Sequence, residues 1–180
     1  MNTISGTLES KVIIVAGGGN VSGRACSLAY AAAGAKVVIG DINGPAAPAV
    51  RDEIAGQGAM ASVFEYDGSD LDSLRALARF AASEHGQIDG LHTIAGNPTL
   101  HTRDLDLLNS DVFTSEDAFR SHFSAYAVAA QEAIPVMIEG GGGSIINTPS
   151  GMGISGESTK LGYQVSKRAA ELLALHIAHA

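Results

Sequence analysis

The sequence predicts a doubly wound α/β fold, a parallel sheet held between two layers of helices. Three observations point there. Short β-branched runs alternate with longer amphipathic ones along the chain. The first such run opens into a glycine-rich turn, Ala16-Gly17-Gly18-Gly19-Asn20-Val21-Ser22-Gly23. The second run ends at an acidic residue, Asp41, about 20 residues beyond those glycines.

Lys11–Ala16 (KVIIVA) reads as a buried strand bounded by glycine, and Val21–Ala33 as a helix stopped by Gly34. Ala35–Gly40 is a second strand. Pro45–Ala55 is helical and ends at Gly56 and Gly58. Ala59–Tyr66 is a third strand, and Ser69–Ser83 a helix with Ser69 in the N-cap position. Ile88–Ala95 is a fourth strand, followed by a polar loop from Gly96 to Phe113. Thr114 opens one long helix to about Glu139, with Asp117 spaced for a capping box. After a turn at Gly140–Gly143, Ser144–Thr148 is a fifth strand and Lys160–Ala180 the final helix. Right-handed crossovers between such strands place helices on both faces, giving a three-layer αβα arrangement.

Composition narrows the class of protein. The 180 residues, 46% of them hydrophobic, suit one domain spanning 1–180. The net charge of −8 argues against nucleic acid as the main partner, because phosphates call for a basic face. No stretch approaches the ~18 apolar residues of a membrane span. Met1–Gly6 lacks the basic and apolar regions of a secretory signal, and Cys26 is the single cysteine. A soluble cytoplasmic protein is expected. The histidines show no metal-ligand spacing, so no metal is expected. Asp104, Asp106 and Asp111 with Arg103 read as a solvated loop. The apolar helix is still running at Ala180 with no glycine cap, which reads either as fraying or as a truncated form of a longer protein.

A glycine turn between a first strand and a first helix lets backbone approach a pyrophosphate, with free N–H groups and a partial positive charge at the helix start. The same glycines also serve a plain tight turn. Asp41 stands where a carboxylate hydrogen-bonds the adenosine ribose hydroxyls. It would repel the extra phosphate of NADP, and no arginine follows it closely, so NAD is favoured over NADP. The alternative for Asp41 is a solvated strand end. Asp67 ends the third strand in the same way and admits two readings, a contact to the adenine edge or a helix cap.

Tyr163 and Lys167 are four apart on the last helix and so share a face. Ser150 follows the fifth strand, where loops line the ligand crevice of a doubly wound sheet. Hydride exchange at a carbonyl carbon needs a proton partner for the oxygen. Tyrosine ionises near ~10, and a neighbouring ammonium lowers that by favouring the phenolate. Serine holds a substrate oxygen without competing for the proton. The alternative is a pair of ordinary helix-surface residues.

Taken together, these motifs resemble those of the short-chain dehydrogenases/reductases over essentially the whole chain. The glycine motif of that family falls on Ala16–Gly23, its Asn-Asn-Ala-Gly motif on Thr93–Gly96, its serine on Ser150 and its Tyr-x-x-x-Lys on Tyr163–Lys167. The resemblance implies a Rossmann-like fold and an NAD(P)-dependent oxidoreductase acting on a small-molecule secondary alcohol or ketone. It implies Tyr163 as acid/base, Lys167 as its activator and ribose holder, and Ser150 as orienter of the substrate oxygen. Gly17, Gly19, Asn20, Val21 and Gly23 would then cradle the cofactor. Asp41, Asp67, Gly68, Ala95 and Gly96 would line its path towards Tyr163 and Lys167. A homo-oligomer, dimer or tetramer, is implied as well, with Ala-rich faces of the last two long helices (Ala125, Ala127, Ala129, Ala130, Ala133; Ala169, Ala170, Ala174, Ala178) in close approach.

The departures carry their own expectations. Val21 replaces the second motif glycine and crowds the pyrophosphate. Thr93 and Ile94 replace two asparagines, removing a polar brace of the central strand. His122 takes the place of a helix asparagine that holds a relay water in the family. Its plain alternative is a histidine satisfied by a neighbouring carbonyl. The family's further strands, its Pro-Gly turn and its substrate loop are missing, which would leave one sheet edge unpaired and apolar. These departures favour a second reading, a catalytically weak binding or assembly protein or a truncated fragment.

Overall fold

A computed structural model of the chain describes residues 6–94, 96–156 and 158–179. Ala95, assigned above to the cofactor path, lies outside them. Five parallel strands, β1 (Val12–Ala16), β2 (Lys36–Asp41), β3 (Ala61–Glu65), β4 (Gly90–Thr93) and β5 (Ser144–Asn147), form one sheet in the order β3-β2-β1-β4-β5. The crossovers run through α1 (Val21–Ala32), α2 (Ala46–Gly56), α3 (Leu71–His85), α4 (Val112–Phe119) and α5 (Ala125–Glu139). A short α6 (Met152–Ser155) and α7 (Leu161–Ile177) follow β5.

Side chains alternate along β1 and so build two cores. Val12, Ile14 and Ala16 face α3, α5 and α7, where they meet Leu77, Tyr126, Ala129 and Ala170. Ile13 and Val15 face α1 and α2, where they meet Ala31, Ala47, Val50 and Ile54. Burying each large aliphatic chain contributes ~1.5–3 kcal/mol. The sheet is therefore held from both sides, as a doubly wound fold requires. β5 forms the outer edge, with Ile146 46% exposed.

Four local expectations are corrected. Asp70, not Ser69, caps α3 by accepting the Asp72 N–H at 2.9 Å. The long helix starts two residues earlier than expected, at Val112, because Asp111 caps it through the Phe113 N–H. Asp117 forms no capping box and instead pairs with Arg103 at 3.3 Å, while Thr114 is buried. That helix is also not continuous, since Arg120–Ser124 widens into a π-turn between α4 and α5. The Ser121 hydroxyl bonds back to the Asp117 carbonyl at 2.8 Å, a competition that loosens the regular ladder.

Of the small residues expected to let subunits approach, Ala125, Ala129, Ala130, Ala133 and Ala170 are buried inside the fold, Ala127, Ala169 and Ala174 are half-buried and Ala178 is exposed. Among the described residues, no helix is long and apolar enough to cross a membrane.

Candidate active site

The carboxyl ends of β1 to β4 open onto a cleft of about 500 Å³. Gly17, Asn20, Asp41, Asp67, Gly68 and Gly96 line it, six of the twelve residues assigned to a cofactor from sequence, while Gly19, Val21, Gly23, Tyr163 and Lys167 do not. Gly17 has φ 93°, in the left-handed region. At Gly23 a Cβ would stand 2.0 Å from the Gly17 carbonyl, so only glycine lets the start of α1 fold back onto the turn. Asn20 caps α1 by accepting the Gly23 N–H at 2.8 Å. The helical ladder starts with the Arg24 N–H on the Asn20 carbonyl at 2.7 Å, so the Val21 and Ser22 N–H groups stand ahead of it, at the end of α1 that favours an anion.

Asp41 is buried and holds this turn together. One carboxylate oxygen accepts the Gly19 N–H at 2.8 Å and the other the Asn43 N–H at 2.9 Å. Asp41 is therefore not a solvated strand end. Asp67 is not a helix cap either, because its carboxylate accepts both the backbone and hydroxyl protons of Ser69 at the rim of the cleft. Val21 is 90% exposed on the first turn of α1. Its isopropyl group stands where a glycine would leave the turn bare. The cradle and the buried carboxylate fit a dinucleotide.

The cleft ends at Gly96 and Ser121, and buried packing leads from there to α7 through His122. A Cβ on Gly96 would stand 3.1 Å from His122 Nε2, and the His122 ring meets the Tyr163 ring edge-on at 5.3 Å between centroids. Ser166 donates its single hydroxyl proton to the Tyr163 carbonyl, so His122 Nδ1 donates to the Ser166 oxygen at 2.8 Å. His122 Nδ1 is thus held by a side-chain hydroxyl.

Lys167 lies between two phenol rings, its Nζ 6.0 Å from the Tyr163 centroid and 5.1 Å from that of Tyr126. It donates to the Tyr126 hydroxyl at 2.9 Å and to the Thr148 carbonyl, just past β5, at 3.1 Å. Burial pushes its pKa down to about 8. Tyr163 and Lys167 therefore meet as their spacing predicts. Ser150 lies in the turn leading to α6, and its hydroxyl accepts the Met152 N–H at 3.3 Å.

Two features were not legible from the sequence. Asp104 is buried, contrary to the solvated-loop expectation, and accepts the Gly162 N–H at 2.9 Å and the Tyr163 N–H at 2.6 Å. Lys160 offers α7 no side-chain cap, so a carboxylate from the loop after β4 caps it instead. The brace expected to be lost at Thr93 and Ile94 is rebuilt with other atoms. Thr93 donates to Asn147 at 2.8 Å, and Asn147 donates to the Ala170 carbonyl at 3.3 Å. His92 bridges Tyr30 and Thr148, both at 2.9 Å.

A parallel sheet with a glycine cradle, an acidic residue after β2 and a Tyr-x-x-x-Lys helix defines a class. The chain belongs to the short-chain dehydrogenase family, whose sequence profile matches residues 11–180. It is 34% identical over 96% of its length to a probable short-chain type dehydrogenase/reductase of Bradyrhizobium diazoefficiens, covering 62% of that protein. It is 30% identical over 94% of its length to a 7alpha-hydroxysteroid dehydrogenase of Bacteroides fragilis, covering 65% of it. The fold superposes with a TM-score of 0.90 on a 7alpha-hydroxysteroid dehydrogenase solved with NADH and 7-oxo glycochenodeoxycholic acid. That match has 30% identity and covers 99% of this chain and 68% of the other. The chain thus spans less than two thirds of the length of those two curated relatives.

Proposed function

We propose that this chain forms the nucleotide-binding and proton-handling part of an NAD-dependent oxidoreductase for a secondary alcohol or ketone. The carrying observation is the cleft from the Asp41 cradle to Gly96, with the buried His122 packed between Gly96 and the pair Tyr163 and Lys167. Bound NAD supplies the hydride acceptor, or NADH the donor. The chain's own groups handle the oxygen. Tyr163 takes the hydroxyl proton of an alcohol and returns it to a ketone in reverse. The Lys167 ammonium favours the phenolate form by attraction. Ser150 hydrogen-bonds the substrate oxygen. Asp41 would hold the adenosine ribose and disfavour the added phosphate of NADP. Gly17, Gly19, Asn20, Val21 and Gly23 would hold the pyrophosphate, and Asp67 and Gly68 the adenine. Gly96 would serve the nicotinamide end. The names of two relatives, which carry a hydroxysteroid and a 7-oxo ligand, support this alcohol–ketone class.

The test is turnover with NAD and NADP on a panel of secondary alcohols, for the natural sequence and for Tyr163→Phe. Loss of turnover in the variant, with NADH binding kept, is expected. Undiminished turnover would refute the assignment of Tyr163.

The exposure of Val21 favours a second reading, a weak cofactor binder that assembles with copies of itself. Fluorescence titration of NADH separates the two, since binding without turnover on the panel supports the second. Sedimentation reports the assembly directly.

A further inference from the structure

Lys167 is a buried ammonium, and such a group needs all its protons directed at acceptors. Among the described residues no carboxylate pairs with it. Its two acceptors are neutral oxygens, the Tyr126 hydroxyl on α5 and the Thr148 carbonyl past β5. The titratable groups that face it are Tyr126 on α5 and Tyr163 on its own helix, with His122 in the π-turn stacked edge-on against Tyr163. Tyr126 is almost completely buried, and burial pushes its pKa well above the usual range. It therefore stays a neutral phenol, whereas Tyr163 is only half-buried.

These facts divide the labour between two phenols about one amine. A carboxylate at the place of Tyr126 would hold Lys167 equally well but would cancel its charge. A phenol that does not ionise fixes the ammonium and leaves the charge for Tyr163. We infer that Tyr126 is a positioning residue for the reaction, anchoring the Lys167 ammonium beside Tyr163 through a neutral hydrogen bond. Nothing in the sequence motif marks it. Tyr126 stands one helical turn past His122, on the face that packs against the sheet. This role rests on the reading of Tyr163 and Lys167 given above.

The experiment uses the full chain labelled with ¹³C,¹⁵N-lysine. Lys11, Lys36, Lys160 and Lys167 give few enough signals to resolve, and Lys167→Met assigns the one of interest. In Tyr126→Phe the ring still fills its core site, and the midpoint of the Lys167 titration should fall by about one pH unit, because an acceptor of a charged group is gone. Turnover should fall about tenfold in kcat with KM little changed, and the pH profile should move by the same amount as the midpoint. If the phenylalanine variant does not fold, Tyr126→Leu, which also lacks the acceptor, should lower the midpoint in the same direction. An unmoved midpoint overturns the inference, because it reduces Tyr126 to packing. A moved midpoint with unchanged turnover in an active enzyme also overturns the role in the reaction. Absence of turnover in the natural sequence counts against the proposed function, while the midpoint still decides whether Tyr126 anchors Lys167.

Discussion

Replacing Lys167 with methionine should change the pH dependence of folding in a way that no other described lysine does. Lys167 titrates at about 8, against 10.5 for an ordinary lysine. One pH unit is worth about 1.4 kcal/mol. Keeping the ammonium folded therefore costs about 3 kcal/mol at neutral pH. The sign follows from proton counting. Between the folded and unfolded values the unfolded chain holds a proton that the folded chain has released, so stability rises with pH. From pH 7 to pH 9.5 the natural sequence should gain about 2 kcal/mol that Lys167→Met does not gain. Above pH 10 the buried tyrosines reverse the slope. Tyr66 and Tyr126, both raised by burial, keep their protons while their unfolded counterparts lose them. Urea unfolding at half-unit steps from pH 7 to 9.5 reads the difference, and other groups cancel between the two proteins. The absolute stability of the variant is less informative, because it also leaves the Tyr126 hydroxyl and the Thr148 carbonyl without their donor. Parallel curves for the two proteins would refute the claim that a buried ammonium sits at this position.

Asp104→Ala should destabilise by about 2–4 kcal/mol, since it uncaps α7 inside the protein, and thermal unfolding will show it. A loss within 0.5 kcal/mol, typical of a surface change, would contradict the burial of that carboxylate. His92 has its pKa lowered by burial, so its neutral form is favoured in the fold and stability is lost as pH falls below 6.5. His92→Gln should flatten that acid limb in urea titrations between pH 6.5 and 5, and an unchanged limb would remove His92 as a cause. Val21→Gly should tighten NADH binding by about tenfold in a fluorescence titration, because the exposed isopropyl group no longer crowds the turn. Equal affinity would show that the crowding is not felt.

The sheet was legible because its strands are short β-branched runs closed by glycine or an acid, and period and punctuation suffice for such runs. The glycine cradle, Asp41 and the pair Tyr163 and Lys167 were legible because their spacing is local. Local competition between caps was harder. Asp67, Ser69 and Asp70 are all cap-forming residues, and only the course of the chain after β3 decides that Asp70 takes the helix. The π-turn at Arg120–Ser124 carries no periodic mark, since one extra residue in a long apolar helix shifts the pattern less than its own scatter. Asp104 was illegible for a different reason. Its partners lie 58 and 59 residues away, and an aspartate in a polar loop looks the same in sequence whether it faces water or an uncapped helix. Tyr126 and the pair Thr93 and Asn147 share that difficulty, as each gains its meaning from a neighbour on another element.

The carboxylate of Asp104, joined by the Leu105 carbonyl that accepts the Leu161 N–H at 3.2 Å, is a peg driven through the middle of the segment after β4. Both flanking stretches hold it in place, since the Leu100 carbonyl accepts the Asp104 N–H at 2.9 Å and the Ser110 hydroxyl accepts the Leu105 N–H at 2.8 Å. Anyone grafting a new loop to alter selectivity has to carry Leu100 and Ser110 along with the peg. Moving the peg itself by one residue would drag the first turn of the tyrosine helix with it, so a graft that ignores it would alter rate where only preference was meant to change.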